Sequence, residues 1–284
     1  NKIATRKYGH LPPRTVTLEP WAHVAVDLIG PWDITIQGQK YTFHALIMID
    51  TDTNLPEAVR IRNKTSRHIS MLFENTWLSR YPRPVDCIYD RGSEFIGFEF
   101  QNTLQRYNIN PKQITTKNPQ ANAVCERMHQ TMANQLRVIT RQNPPQDLEQ
   151  AQMLVDTMLS NTVYALRASI NTSLNAAPGS IVFGRDMILN LPFVTDIANI
   201  RNRRQALVDK SNARENAHRH DFNYQVGQWV TIRADLHQTI ARLQPRFIGP
   251  FQIVQVHVNG TVTIHKRPHV FERINIRRIQ PYRH

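Results

Sequence analysis

The sequence predicts two folded domains: an α/β domain with a mixed sheet and helices on its faces, followed by a small all-β barrel. Strand-like runs come first along the chain and then alternate with helix-like runs. Beyond residue 220, apolar residues alternate at period two between turns that contain Gly or Pro. A chain of 284 residues with 40% hydrophobic content can form one sizeable core and one small core.

The elements of the first domain are predicted from periodicity and from turn residues. Strands are predicted at residues 23–30, 41–50, 57–62, 85–90 and 109–116. Helices are predicted at residues 65–81, 95–107, 124–140 and 148–163. Thr65 or Ser66 caps the first helix, and Pro82 and Pro84 end it.

Three carboxylates occupy positions that favour chemistry over a purely structural role. Asp27 lies within an apolar strand, where an isolated carboxylate is costly to ionise unless a cation or hydrogen-bond donors lie beside it. Asp90 ends a short strand and precedes the turn residues Arg91 and Gly92. Glu126 projects from a helix on the side opposite the apolar stripe that begins at Val124.

Two strand-borne carboxylates and one helix-borne carboxylate are a suitable ligand set for two Mg²⁺ ions, because hard cations prefer oxygen ligands. Such a pair of ions can hold both the attacking and the leaving oxygen of a phosphoryl displacement. Asp50 and Asp52, near another strand end, are rival ligands. They rank lower because loop aspartates usually bond their own backbone.

Three blocks that contain these acids resemble the catalytic blocks of retroviral and LTR-retrotransposon integrases, with the gypsy class most similar. They are VDLIGPW (26–32), DRGSEF (90–95) and NPQ through CER (118–127), with thirty-five residues between the second and third acids. The resemblance implies a ribonuclease-H-like core with a mixed five-stranded sheet. It also implies that Asp27 bridges two Mg²⁺ ions, that Asp90 and Glu126 each hold one, and that Mn²⁺ can substitute. One position differs: Ala123 stands where members usually have Gly.

The end of the chain resembles a second module of the same class. Residues 246–251, RFIGPF, are similar to the GPY/F motif of gypsy-class integrases, which implies a barrel of the Src-homology-3 type. The predicted organisation is therefore a linker (1–20), a catalytic core (21–198), a connecting helix (199–222) and a DNA-binding barrel (223–284). In the resembling family a zinc domain precedes the linker; no such ligand set is found in this sequence, so zinc is not expected.

The distribution of charge indicates a nucleic-acid partner. Residues 1–20 hold 4 Lys/Arg and 1 acid, residues 21–200 hold 16 of each, and residues 201–284 hold 15 Lys/Arg and 5 acids. Basic flanks on a neutral core suit a phosphodiester substrate, although a merely soluble basic surface is the alternative. The candidate DNA contacts are polar or basic side chains of the core helix, connecting helix and barrel: Gln130, Asn134, Arg137, Arg201, Arg203, Arg204, Arg246, Arg273, Arg277 and Arg278.

Targeting features are missing from the sequence. It has no initiator Met, no signal peptide and no apolar run near 18 residues, so we expect a fragment of a polyprotein that does not enter a membrane. The two cysteines, Cys87 and Cys125, are too few for a disulfide framework and are expected to serve packing in a reducing compartment.

The resemblance implies an LTR-retrotransposon integrase, a strand transferase and 3′-end endonuclease that processes element DNA ends and joins them to target DNA. Element-end DNA, target DNA and further copies of the chain, as a dimer or tetramer, are the expected partners. The expected location is the nucleus, reached directly or through a cytoplasmic particle. The alternatives are a domesticated, inactive DNA-binding protein and a ribonuclease-H-like nuclease, which would have little use for a basic barrel.

Overall fold

The computed structural model describes residues 7–113, 119–234 and 247–282, and only the backbone of residues 119–127. The chain divides into two compact units. One is Thr17–Arg203, and the other combines Asn1–Val16 with Arg204–His284. The first strand, β1 (Lys7–Tyr8), belongs to the second unit. The sequence predicts only an extended linker for this segment.

The Thr17–Arg203 unit is built on a five-stranded mixed sheet. Its strands are β2 (His23–Ile36), β3 (Gln39–Asp50), β4 (Pro56–Ile61), β5 (Asp86–Tyr89) and β6 (Asn110–Gln113). The order across the sheet is β4-β3-β2-β5-β6. The pairs β2–β3 and β3–β4 are antiparallel, whereas β2–β5 and β5–β6 are parallel. The five predicted strands all occur, and β2 runs six residues beyond its predicted end, past a bulge at Gly30 and Pro31.

Helices cover both faces of this sheet. They are α1 (Ser66–Phe73), which continues as a π-helical turn (Glu74–Leu78), α2 (Ser93–Ile96), α3 (Phe98–Arg106), α4 (Pro119–Gln142), α5 (Leu148–Ala168) and α6 (Pro178–Phe183). Side chains of β3 alternate between the two faces: Ala45 and Ile47 pack with α4 and α5, whereas Leu46 and Met48 pack with α1 and α3.

The predicted helix over residues 95–107 is instead two helices that break at Gly97. A Cβ atom at Gly97 would lie 2.4 Å from the Cβ of Ser66 at the start of α1. Ser66 Oγ in turn accepts a hydrogen bond from the N–H of Phe100. The close approach of α1 to the α2–α3 junction therefore requires glycine, and the break is a consequence of packing that periodicity alone does not reveal.

The second unit is organised on a five-stranded antiparallel sheet. Helix α7 (Ile197–Asn216), which belongs to this unit from Arg204 onward, and the short strand β7 (Arg219–His220) precede the strands of the sheet. These are β8 (Trp229–Arg233), β9 (Phe247–His257), β10 (Thr261–Arg267), β11 (Val270–Asn275) and, after a 3₁₀ turn (Ile276–Arg278), β12 (Ile279–Pro281). The strand order is β11-β10-β9-β8-β12. The period-two pattern predicts three of these strands, and β11 and β12 are additional.

A buried arginine ties the start of the chain to this unit. Strand β1 pairs in parallel with β7, and the guanidinium of Arg219, a residue only 6% exposed, donates to the carbonyls of Tyr8, Gly9 and Ile276. Glu215 accepts a further bond from it at 3.2 Å. Residues more than 200 positions apart thus share one core.

Among the described residues, no helix is both long and apolar enough to cross a membrane.

Candidate active site

Asp27 lies in the middle of β2 and faces the side of the sheet that α4 covers. Its neighbours at alternate positions, Ala25 and Ile29, are buried, and Ile29 belongs to the core shared with α4 and α5. The Asp27 side chain is 21% exposed. The backbone N–H of Leu28 donates to its Oδ1 at 2.8 Å. Asp27 is therefore a largely enclosed carboxylate with a fixed orientation.

Asp90 lies next to Asp27 because β2 and β5 run parallel. Their register pairs His23 with Asp86 and Ala25 with Ile88, and two residues further along each strand this register brings Asp27 beside Asp90. Asp90 follows the end of β5, and its Oδ1 accepts the N–H of Gly92 at 2.9 Å. The turn that the sequence predicts after this strand therefore holds the carboxylate.

The two carboxylates influence each other electrostatically. Burial, followed by the negative charge of Asp90, raises the pKa of Asp27 from its usual 3.8 to about 6, and Glu94 acts in the same direction. The N–H of Leu28 opposes this change. A carboxyl group whose ionisation is opposed by burial and by a second carboxylate is a group that a cation would stabilise.

Glu126, the third predicted acid, lies on α4, but its side chain is outside the described residues. The helix packs on the face that carries Asp27 through the buried residues Met128, Met132 and Leu136. These are three of the four apolar positions predicted for this helix. Among the described side chains, no three His, Cys, Asp or Glu residues are grouped to hold a metal ion.

His129 is a site residue that was not predicted from the sequence. Its Nε2 lies 3.7 Å from Asp27 Oδ2, and its side chain is 33% exposed. It follows Glu126 by three positions, a spacing that brings residues together on a helix surface. That spacing is the sequence signal that could have identified it.

The rival acids Asp50 and Asp52 serve a turn. Asp50 is fully buried and accepts hydrogen bonds from the N–H groups of Trp21 and Asp52 and from the hydroxyl of Thr53. Asp52 Oδ2 lies 2.8 Å from Nδ1 of His23. Their oxygens are engaged within the chain, as expected for loop aspartates.

The candidate DNA contacts on α4 form an exposed row. Gln130 Nε2 and Arg137 Nη1 both donate to Asn134 Oδ1, at 3.1 and 3.2 Å. All three residues are exposed and follow Glu126 along the helix. The structure therefore arranges a continuous polar surface along α4.

The remaining basic candidates for DNA contact differ in their exposure and in the hydrogen bonds that they make within the chain. Arg201 is exposed, Arg203 donates to the carbonyl of Thr172, and Arg204 and Arg278 are partly buried. Arg273 is exposed and donates to Thr261 Oγ1 and Asn259 Oδ1. Arg277 is bound to both carboxylate oxygens of Glu215 and is only 16% exposed. Arg246 lies outside the described residues.

Comparison with solved structures finds several similar chains. A chain of the simian T-cell lymphotropic virus intasome, solved by cryo-EM in complex with PP2A regulatory subunit B56 gamma, aligns over 98% of this chain and 84% of its own length, with a TM-score of 0.63 and 13% identity. The catalytic core of BIV integrase covers 57% of this chain and 94% of its own (TM-score 0.43, 17% identity). The HTLV-2 integrase core in complex with magnesium, in trimeric form, covers 59% and 99% (TM-score 0.44, 18% identity).

The fold is therefore that of the matched intasome chain: an α/β core on a mixed five-stranded sheet, followed by a C-terminal domain on a five-stranded antiparallel sheet. This confirms the fold class predicted from the sequence. Comparison with protein-family models and with curated proteins finds no match.

Proposed function

We propose that the chain is an integrase-type polynucleotidyl transferase that cuts element DNA near its 3′ ends and joins those ends to target DNA. The observation that supports this most strongly is the placement of Asp27 beside Asp90 on the parallel strands β2 and β5 of an integrase fold, with α4 packed over the same face. Glu126, carried by α4, is the third acid of the proposed set.

The residues present fit a divalent cation. Their donors are carboxylate oxygens, which Mg²⁺ and Mn²⁺ prefer. The two largest effects that raise the pKa of Asp27, burial and the charge of Asp90, are both offset by a nearby positive ion. Asp27, Asp90 and Glu126 would hold the ions. Two bound Mg²⁺ ions supply positive charge for the attacking and leaving oxygens of an in-line displacement.

The chain's own groups would position the substrate. The row Gln130, Asn134 and Arg137 would bind the DNA backbone beside the acids, where charge-assisted bonds from Arg137 to phosphate are the strongest of the three. The carboxylates would accept the proton of the nucleophile, which is water in the first step and the new 3′-hydroxyl in the second. No covalent enzyme intermediate is needed.

We further propose that the chain derives from an LTR-retrotransposon polyprotein, acts in the nucleus and works as a dimer or tetramer on two element ends. The motifs at residues 26–32, 90–95 and 246–251 support this assignment. The excess positive charge of residues 201–284 supports a DNA-binding role for the C-terminal unit.

The test is transfer of a labelled oligonucleotide, ending in the element's terminus, into plasmid DNA with Mg²⁺ or Mn²⁺. Glu126→Gln should abolish joined products, whereas the matched control Glu149→Gln, which removes the same charge from the exposed first turn of α5, should retain them. Cleavage without joining would indicate a nuclease. Binding without either reaction would indicate an inactive DNA-binding protein.

A further inference from the structure

One surface of the C-terminal unit combines exposed aromatic rings with arginine. Strands β8 and β12 pair antiparallel, with Thr231 opposite Gln280 and Ile232 opposite Ile279, and the N–H of Tyr282 donates to the carbonyl of Trp229 at 2.9 Å. We call the outward side of these strands the β8–β12 face. It consists of Trp229, Thr231, Arg233, Gln280 and Tyr282.

The inward side of the same strands explains why these residues point outward. Val230, Ile232 and Ile279 are buried together in the core of this unit. Since side chains alternate along a strand, the residues between them lie on the opposite side. Trp229 is 47% exposed and Tyr282 is 39% exposed. Tyr282 follows the end of β12 opposite Trp229, so the two exposed rings are cross-strand neighbours, and a contiguous exposed patch is a feature of binding sites.

The other end of the β8–β12 face is positively charged. Arg233 is exposed at the end of β8, and Arg278 immediately precedes β12. Lys7 of β1 is close enough to Arg233 for their charges to interact: burial, together with the charges of Arg219, Arg233 and Arg277, lowers the pKa of Lys7, and Glu215 opposes the effect. Glu215 already pairs with Arg219 and Arg277, so the exposed Arg233 is the cation that this end presents to an anionic ligand.

The dimensions of the face suit a short stretch of nucleic acid. Trp229 and Arg233 are four residues apart on one strand, a separation of roughly 13 Å at about 3.3 Å per residue. Successive nucleotides of one strand rise by about 3.4 Å when stacked and by more when extended, so the face can hold two to four nucleotides. Aromatic rings stack on bases, and arginine binds phosphates.

We propose that the β8–β12 face binds unpaired nucleotides at a DNA end, with Trp229 and Tyr282 stacked on bases and Arg233 on the phosphates. Bases inside a duplex are already stacked on each other, so a blunt end offers the rings only the outer face of its last base pair, whereas unpaired nucleotides offer several faces. The inference rests on the proposed function in one respect: cutting one strand near its 3′ end leaves unpaired nucleotides on the other strand.

The test is binding of the full chain, without divalent ions, to fluorescent duplexes that are identical except for a three-nucleotide 5′ overhang. Wild-type protein should prefer the overhang duplex. Trp229→Ala should weaken binding to that duplex about tenfold, the effect expected for loss of one base–aromatic stack, and should leave blunt-duplex binding nearly unchanged. Trp229→Phe should retain most of the preference, which separates stacking from loss of fold.

The control variant is Phe271→Ala. Phe271 is 60% exposed on β11 of the same unit, so its removal tests whether any exposed ring would act in the same way. It should leave the overhang preference intact. Equal weakening of both duplexes by Trp229→Ala, or no overhang preference in wild type, would overturn the proposal, as would preferential capture of an acidic peptide by this face.

Tryptophan fluorescence provides a second readout. Of the four tryptophans, Trp32 and Trp77 are buried and Trp21 is partly buried, so Trp229 is the most exposed. A short single-stranded oligonucleotide should quench the signal that Trp229→Phe removes. Because neither assay requires catalysis, an inactive chain that prefers overhangs would refute only the proposed function. An active chain without that preference would refute only this inference.

Discussion

His129 on α4 approaches Asp27 on β2, with 3.7 Å between its Nε2 and the aspartate Oδ2. This approach depends on the packing of α4 on the sheet, and it places an imidazole beside the carboxylate that we propose as a metal ligand. A residue that orients a metal ligand typically affects metal affinity or activity by 10- to 100-fold.

His129→Ala should therefore weaken Mn²⁺ or Mg²⁺ binding by about tenfold, because the Asp27 carboxylate loses its neighbour. His129→Gln, which keeps a polar side chain beside the carboxylate, should recover part of the loss. Isothermal titration with the metal alone measures the effect. Gln130→Ala, at the exposed adjacent position, is the control and should leave metal affinity unchanged. Unchanged affinity in His129→Ala would exclude an orienting role.

Asp27→Asn should stabilise the metal-free protein at neutral pH. The pKa of Asp27 is about 6 in the folded chain, above its usual 3.8, so the folded state retains the proton more tightly. Wild-type stability therefore falls as the pH rises from about 4 to 6. Asparagine does not ionise, so the variant gains up to about 3 kcal/mol above pH 6 and nothing below pH 4.

Thermal unfolding from pH 4 to 8 without divalent ions tests this prediction. Asp33→Asn is the control, since hydrogen bonds from Lys40 and Thr42 lower the pKa of Asp33 and its effect on stability should have the opposite sign. Added Mg²⁺ should raise the melting temperature of the wild type and not that of Asp27→Asn. A pH-independent difference between Asp27→Asn and wild type would contradict the assigned pKa.

A residue of this site could be predicted when its own segment shows a clear pattern, and could not when its role depends on a contact between distant segments. Asp27 and Asp90 could be predicted because each sits on a short strand with a clear apolar pattern, and parallel pairing brings their ends together. His129 lies in the predicted helix, and its three-residue spacing from Glu126 is a weak signal that a surface histidine would share. Its role depends on the packing of α4 against β2, which is a tertiary contact.

Long-range contacts also explain what the sequence could not reveal about the second unit. Pairing of β1 with β7 and the bonds from Arg219 to Tyr8 and Gly9 join segments more than 200 residues apart. Residues near Lys7 have the composition of a linker, because a two-residue strand carries no periodicity. Pairing with β7, and not the local sequence, determines the structure of this segment.

Gly97→Ala should destabilise the Thr17–Arg203 unit by about 2 kcal/mol, because its Cβ would overlap the Cβ and Oγ of Ser66. Combining it with Ser66→Gly should recover part of this loss, since both overlapping atoms are removed, although the hydrogen bond from the N–H of Phe100 is lost as well. Denaturant unfolding of the two single variants and the double variant measures the coupling. Additive effects would show that the two residues do not meet.

Two arginines of the C-terminal unit, both candidates for phosphate contact, should behave differently. Arg277 is 16% exposed and pairs with Glu215, so Arg277→Ala should lower the stability of this unit by about 1–2 kcal/mol. Arg273 is exposed, and its bonds to Thr261 and Asn259 leave it at the surface. Arg273→Ala should change stability by less than about 0.5 kcal/mol.

The salt dependence of duplex binding distinguishes an arginine that binds a DNA phosphate from one that stabilises the unit. If Arg273 binds a phosphate, Arg273→Ala should reduce the slope of log affinity against log salt by about 1, uniformly across DNA sequences. Arg277→Ala should keep the wild-type slope when measured well below its melting temperature, because its charge is already neutralised by Glu215. A reduced slope for Arg277→Ala would mean that DNA displaces Glu215 from this arginine, and Glu215→Gln would then strengthen binding.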